Sequence, residues 1–180
     1  MKKAAVLTNK IFKLSFIPKM ESIIDLGSTV THEDIADHVE EAIQDPSKVK
    51  LKVPQDDVES CFTPIIQSGG DYSLKVSAAS KPTPLKFDII ISSVGARYQS
   101  YCASMTRTYF VDPPKKVTQT YDVLLDVQSA CLDVMKPGNP LSAVRVAAAD
   151  YLKEKGREDL VACLPKTLGK AMARGQRTAT

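Results

Sequence analysis

Histidine is nearly absent: His32 and His38 are the only two in 180 residues. They stand six apart on a segment with helical spacing, and at roughly 100° per residue they point to different sides of it. The i, i+4 pair by which a helix grips zinc is therefore missing. Both are read as cap or surface residues, with Asp34 and His38 forming at most a weak i, i+4 pair. A serine-hydrolase triad is also missing: it needs a histidine base served by a G-x-S-x-G elbow, and the chain has no such elbow. Four cysteines, Cys61, Cys102, Cys131 and Cys163, lie far apart with no C-x-x-C pair. That argues against a zinc site or a disulfide frame and suits reduced thiols in a cytosolic or nuclear protein. No apolar run could span a bilayer, and Thr8, Asn9 and Lys10 break the segment after Lys2-Lys3 where a signal peptide would stay apolar.

A dominant sign of charge is also lacking, with 24 basic against 21 acidic residues. A net charge of +3 is too small to argue for nucleic-acid binding. Its distribution is uneven. Residues 1–20 hold Lys2, Lys3, Lys10, Lys13 and Lys19, and residues 166–180 hold Lys166, Lys170, Arg174 and Arg177; all 21 acids fall between. An acidic centre suits a basic partner, and charges dispersed over solvated faces fit the composition equally well. No aromatic residue interleaves the basic end to stack bases, so it reads as a basic tail. What is present, 43% hydrophobic and 25% charged residues, is the make-up of a folded domain with a core.

Residues 4–24 are apolar-rich and predict a helix, with Pro18 breaking or kinking it and Gly27 ending it. Thr31 and Asp34 form a near capping box. Ile35, Ala36, Val39, Ala42 and Ile43 then follow at helical spacing up to Asp45-Pro46. Four strands are predicted over Phe62–Ile66, Leu74–Ala78, Phe87–Val94 and Tyr98–Val111. Gln67-Ser68-Gly69-Gly70 separates the first two, either as a hairpin turn or as a phosphate-cradling nest. Helical spacing returns over 117–135 and 141–152, punctuated by Lys136-Pro137-Gly138-Asn139-Pro140 and stopped by Gly156. The order is two helices, four strands, two helices, which amounts to one and a half units of an internal repeat.

One stretch carries chemistry by what it has lost. Ser93 through Thr108 resembles the core motif of the aminopeptidase P and methionine aminopeptidase family, the pita-bread metallopeptidases, whose pattern is D-x-G-A-x-Y-x-G-Y-x-S-D-x-T-R-T. Gly95, Ala96, Tyr98, Tyr101, Thr106, Arg107 and Thr108 fall in register, whereas the two carboxylates that hold a metal pair are Ser93 and Ser104. A dinuclear centre needs anionic oxygens to hold two cations together, and a hydroxyl is neutral. A buried carboxylate without its cation would cost on the order of several kcal/mol, while a hydroxyl needs one hydrogen bond. The resemblance implies an α+β, partial pita-bread (creatinase/aminopeptidase-like) fold, an antiparallel sheet covered by helices with its second repeat incomplete. It also implies vestigial ligand positions at Ser93 and Ser104 facing the former metal cavity, and no metal or other cofactor. Arg107, Tyr98 and Tyr101 are candidate partner-contacting residues. For Arg107 a second reading stands beside this, a hydrogen-bond anchor for the sheet.

The block Cys61-Phe62-Thr63-Pro64-Ile65-Ile66-Gln67-Ser68-Gly69-Gly70, followed by Gly95 through Thr108 with Ser100 in place of glycine, is similar to the large-subunit family of the FACT histone chaperone. The resemblance runs from about Met1 to about Gly169. In that family this region is a peptidase-like lobe without peptidase activity. Residues 1–169 are thus expected to be a partial peptidase-like domain, and 170–180 a basic tail, disordered or aberrant, where the family would continue into a glycine-rich stretch and a sheet. The family's further N-terminal lobe has no counterpart in the match. The implied role is a non-catalytic module of a nuclear, chromosomal histone chaperone that reorganises nucleosomes in transcription, replication and repair. Histones are the implied partners, with the small FACT subunit in the full-length protein, and neither nucleic acid nor membrane is bound by this domain. The rival readings are an aminopeptidase P-like metallohydrolase with altered ligands and an incomplete gene product without independent function.

Overall fold

The computed structural model describes residues 1–73, 75 and 77–165. Its contacts divide the chain into two compact units, Met1–Pro113 and the segment from Pro114 onward. The expected boundary at 169/170 and the expected basic tail lie outside the described residues.

The first unit starts with helix α1 (Lys2–Ile11), which runs through a π-turn (Phe12–Phe16) into α2 (Ile17–Leu26). Pro18 stands in the first turn of α2. It has no N–H to offer Leu14, so the ladder must give way at this point, and the N–H of Ile17 reaches five residues back to the Phe12 carbonyl. The predicted break is thus a local widening of a continuous helical run. Gly27 ends α2 with φ +60, the left-handed turn that glycine takes without strain. Helix α3 (His32–Gln44) opens on the predicted capping box: Thr31 Oγ1 accepts from the Asp34 N–H, and Asp34 accepts from the Thr31 N–H at 2.8 Å.

Four strands follow: β1 (Val58–Ser60), β2 (Ile65–Gln67), β3 (Ile89–Tyr98) and β4 (Tyr101–Phe110). All pairings are antiparallel; β1 and β2 both pair with β3, as does β4 along the whole of its length. The strand expected over Leu74–Ala78 does not form at Lys75, Ser77 or Ala78, and Leu74 and Val76 lie outside the described residues. Ser73 instead donates and accepts backbone hydrogen bonds with the Gln67 side chain, so a side-chain amide replaces a strand partner. Val58–Ser60 was not foreseen, since three residues are too few for a period to register. The long strands extend to a two-residue turn at Gln99-Ser100, with Gln99 at φ +54. The predicted strands Phe87–Val94 and Tyr98–Val111 leave their connection at 95–97, whereas it falls at Gln99-Ser100, which lacks the glycine or asparagine that favours a left-handed position. The Gln99 N–H donates to the Asp57 carbonyl at 2.7 Å, tying the hairpin tip to the start of β1.

Side-chain alternation gives the sheet two faces. Ile90, Ser92, Val94, Ala96 and Tyr98 share one face, together with Ala103, Met105 and Tyr109 across β4. Leu7, Ile11, Phe12 and Phe16 pack onto this face with Ile35, Val39 and Ile43 of α3. Thr8 fits into this apolar layer because its hydroxyl donates to the carbonyls of Ala4 and Ala103. Ser92 is the exception: it is fully buried and its Oγ has no hydrogen-bond partner. An unpaired buried hydroxyl costs about 1–3 kcal/mol. Ser92→Ala is therefore expected to raise the unfolding free energy by about 1 kcal/mol, read as a higher denaturant midpoint at unchanged slope; a lower midpoint would mean that the hydroxyl is paired.

The second unit holds α4 (Lys115–Val134), α5 (Ser142–Glu154) and α6 (Glu158–Val161). Helices α4 and α5 pack through Val127, Cys131, Val144, Ala148 and Leu152, and Gly156 stops the run at φ +66. The apolar stripe is only half used: Leu124, Leu125 and Leu132 are exposed. No helix of the described residues is long and apolar enough to cross a membrane.

Candidate functional site

The β3–β4 hairpin positions the motif. Ser93 pairs with Thr106, and Gly95 with Ser104, so the two serines sit diagonally on the sheet face opposite the helices. The Ser93 and Thr106 hydroxyls are 2.7 Å apart. Ser93 is half-buried and Ser104 exposed. The expectation of a buried cavity at 104 is corrected accordingly: on strand β4, which pairs only with β3 among the described residues, nothing overlies that hydroxyl. A carboxylate at this position would be solvated.

Other residues on this face were missed as neighbours. Phe62 and Cys61 lie over Gly95, where an added Cβ would come within 2.5 Å of the Phe62 ring and 3.1 Å of Cys61 Cβ. Glu59 and Arg97, direct partners across β1 and β3, form an ion pair. Cys61-Phe62 was visible in sequence as a resemblance, but no spacing rule links it to Gly95, because the contact spans two strands.

Tyr98, Tyr101 and Arg107 separate. Tyr98 is 8% exposed and belongs to the core; Lys3 Nζ lies 3.2 Å from its hydroxyl and 4.8 Å from the ring centroid. That leaves little of it for a partner, a correction whose cause is α1 packing across the hairpin. Tyr101 is 56% exposed at the hairpin tip. Arg107 is exposed, and its guanidinium donates to the Thr106 carbonyl at 2.9 Å.

Both histidines are more than surface residues. His32 is 5% exposed; its Nδ1–H donates to the Thr83 carbonyl at 2.8 Å, and its Nε2 meets the Ser68 hydroxyl at 2.8 Å. The Lys86 N–H donates to the same Ser68 oxygen. Ser68 therefore fixes a turn, and the Gly69 N–H, which a nest would aim at a phosphate, donates to the Asp88 carboxylate at 3.1 Å, against the phosphate-nest reading of 67–70. The loop that folds back onto α3 carries no periodicity, so His32 could not be seen as buried. His38 is half-buried, 3.1 Å from Ser15 Oγ, not paired with Asp34.

Burial first, and the Lys19 charge second, hold His38 below its ordinary value of 6.5. With the folded value depressed, the unfolded chain binds the proton more readily; the contribution is present above about 6.5 and is lost as pH falls through the folded value. Melting temperature is expected to fall more steeply between about pH 7 and about pH 5 for the natural chain than for His38→Gln. Parallel slopes would remove His38 from the acid response.

Among the described residues, no group of three or more His, Cys, Asp or Glu side chains is placed to hold a metal ion. A pair of divalent ions needs several anionic oxygens; Ser93 and Ser104 offer neutral hydroxyls, the first already bonded to Thr106. The residues present do not fit such a centre.

The sequence profile of metallopeptidase family M24 matches residues 1–173. The FACT complex subunit SPT16 of Oryza sativa subsp. japonica is 40% identical over 172 residues, and that of Dictyostelium discoideum 39% over 166. These matches cover 94% and 92% of this chain but only 16% of each relative. Among solved structures, the N-terminal domain of FACT complex subunit SPT16 from Cicer arietinum (chickpea) superposes with a TM-score of 0.87 at 40% identity, covering 92% of this chain and 39% of that one. The X-Pro aminopeptidase of Thermotoga maritima shares the fold, with a TM-score of 0.65 at 21% identity. An antiparallel sheet with helices, the pita-bread architecture, is the fold they share, and the chain belongs to metallopeptidase family M24.

Proposed function

We propose that this chain is a non-catalytic peptidase-like module of a FACT-type histone chaperone. Its job is to bind histones or other protein partners on chromatin during transcription, replication and repair. The observation that carries the reading is the hydroxyl pair: on a hairpin otherwise in register with the M24 motif, Ser93 and Ser104 replace the two carboxylates, and Ser93 is bonded to Thr106. Loss of the metal does not abolish recognition, because backbone hydrogen bonds and apolar pockets bind a peptide without it. Tyr101 and Arg107 are the partner-contacting residues in this reading, being exposed on one hairpin. The module works in the nucleus, with the small FACT subunit as a further partner of the full-length protein. Neither nucleic acid nor membrane is its target.

Two measurements test this. Proline-containing and methionine-initiated peptides with added manganese, cobalt or zinc are expected to show no turnover above background; chelator-sensitive turnover would favour the metallohydrolase reading. Purified core histones are expected to bind saturably at physiological ionic strength. The Tyr101→Ala/Arg107→Ala variant is expected to bind at least about fivefold more weakly, corresponding to about 1 kcal/mol. No saturable binding by the natural chain would sink the chaperone reading.

A further inference from the structure

The face that carries the two serines also brings together two thiols that are distant in sequence. Cys61 leaves β1 where its N–H donates to the Gly95 carbonyl at 2.9 Å. Its Cβ stands 3.1 Å from where a Gly95 Cβ would be, so the cysteine occupies space left open by the missing side chain. Cys102 lies on β4 opposite Arg97, two residues from Ser104, the partner of Gly95. Alternation puts Cys102 on the same face as Gly95. Without a side chain at 95, the Cys61 side chain lies over β3 on the side of Cys102, near enough for that thiol to bear on its titration. Cys102 is exposed and Cys61 half-buried. The other two thiols are engaged elsewhere: Cys131 Sγ with the Val144 carbonyl and Cys163 Sγ with the Asp159 carbonyl.

We propose that Cys61 and Cys102 form an oxidisable dithiol, a modification site that a hydroperoxide converts to an intramolecular disulfide. Burial, and then the neighbouring Cys102, push the Cys61 thiol up to about 12, so the exposed Cys102 reacts first. Its thiolate attacks one oxygen of hydrogen peroxide: an S–O bond forms, the O–O bond breaks, and the departing hydroxide takes up the thiol proton as water. The Cys61 sulfur then attacks the Cys102 sulfenic sulfur. An S–S bond forms, the S–O bond breaks, and the leaving hydroxide takes the Cys61 proton as a second water. Each sulfur has lost one electron and the peroxide has gained two. The bond would tie the end of β1 to β4 across β3, beside Ser104.

The test uses the full 180-residue chain and hydrogen peroxide. The protein is oxidised while folded, alkylated in denaturant, digested and read by mass spectrometry. The expected result is a Cys61–Cys102 linked peptide pair, a loss of about 2 Da from the whole chain, alkylated Cys131 and Cys163, and full reversal by a thiol reductant. Cys61→Ser is expected to abolish the link and leave a Cys102 sulfenic acid that dimedone traps. Cys102→Ser is expected to leave Cys61 fully alkylated. Three outcomes would overturn the proposal: Cys102 driven to sulfinic acid while Cys61 stays alkylated, a bond joining two chains, or a bond to Cys131 or Cys163.

Discussion

Gly95→Val is expected to destabilise the 1–113 unit by roughly 2–3 kcal/mol, although valine is among the best strand residues. The reason is a contact on the serine-bearing face. Gly95 has no Cβ, and the Phe62 ring and Cys61 occupy the space above it. A branched side chain there must push the ring aside or bend β3, which is held by β1 and β2 along one edge and β4 along the other. The backbone of Gly95 is not left-handed, so the whole effect is steric. Phe62→Ala in the Gly95→Val background should therefore recover part of the loss, and a double-mutant cycle on denaturant midpoints would give a coupling of about 1 kcal/mol or more. Additive effects would mean that the ring moves freely and that glycine is retained at 95 for another reason.

His32→Ala is expected to have the larger effect, about 3–4 kcal/mol, from an unpaired Ser68 hydroxyl and a cavity together. Removing the ring takes the Nε2 acceptor from the buried Ser68 hydroxyl, while the Thr83 carbonyl loses the Nδ1–H and keeps the His32 backbone N–H. Beside it lies a cavity of about 160 Å³ lined by Gln67, Ser68, Ser73 and Thr83 among others, so the vacated volume would merge with existing space instead of collapsing. His32→Asn places an amide N–H near the former Nδ1 and is expected to recover part of the loss in thermal melting. A His32→Ala variant that melts within about 0.5 kcal/mol of the natural chain would show that the histidine is a bystander.

The two histidines show where sequence reading stops. Spacing places them on different sides of one helix, which is correct, but it reads both as cap or surface residues. What buries His32 is the return of Thr83 to the start of α3, where the Thr83 carbonyl accepts from both the His32 backbone and its ring. That contact joins residues 51 apart, and no local pattern reports it. The strands failed in the same way. Apolar character at Leu74–Ala78 suggested a ladder, whereas the Gln67 side chain takes the Ser73 backbone groups.

By itself the sequence determined the helices before Gly156, the capping box at Thr31, the stops at Gly27 and Gly156, and the replacement of two motif carboxylates by Ser93 and Ser104. These are local matters, set by periodicity, by backbone freedom and by the identity of single residues. Only the tertiary structure decided that Ser104 is open to solvent, that Tyr98 belongs to the core, that Ser92 is buried without a partner, and that Cys61 crosses Gly95 toward Cys102. Each depends on which strand pairs with which, and in what register. A sheet joins residues far apart in the chain through hydrogen bonds that every backbone can make, so side-chain pattern leaves the choice open. Here it falls to the packing of α1 and α3 against one face.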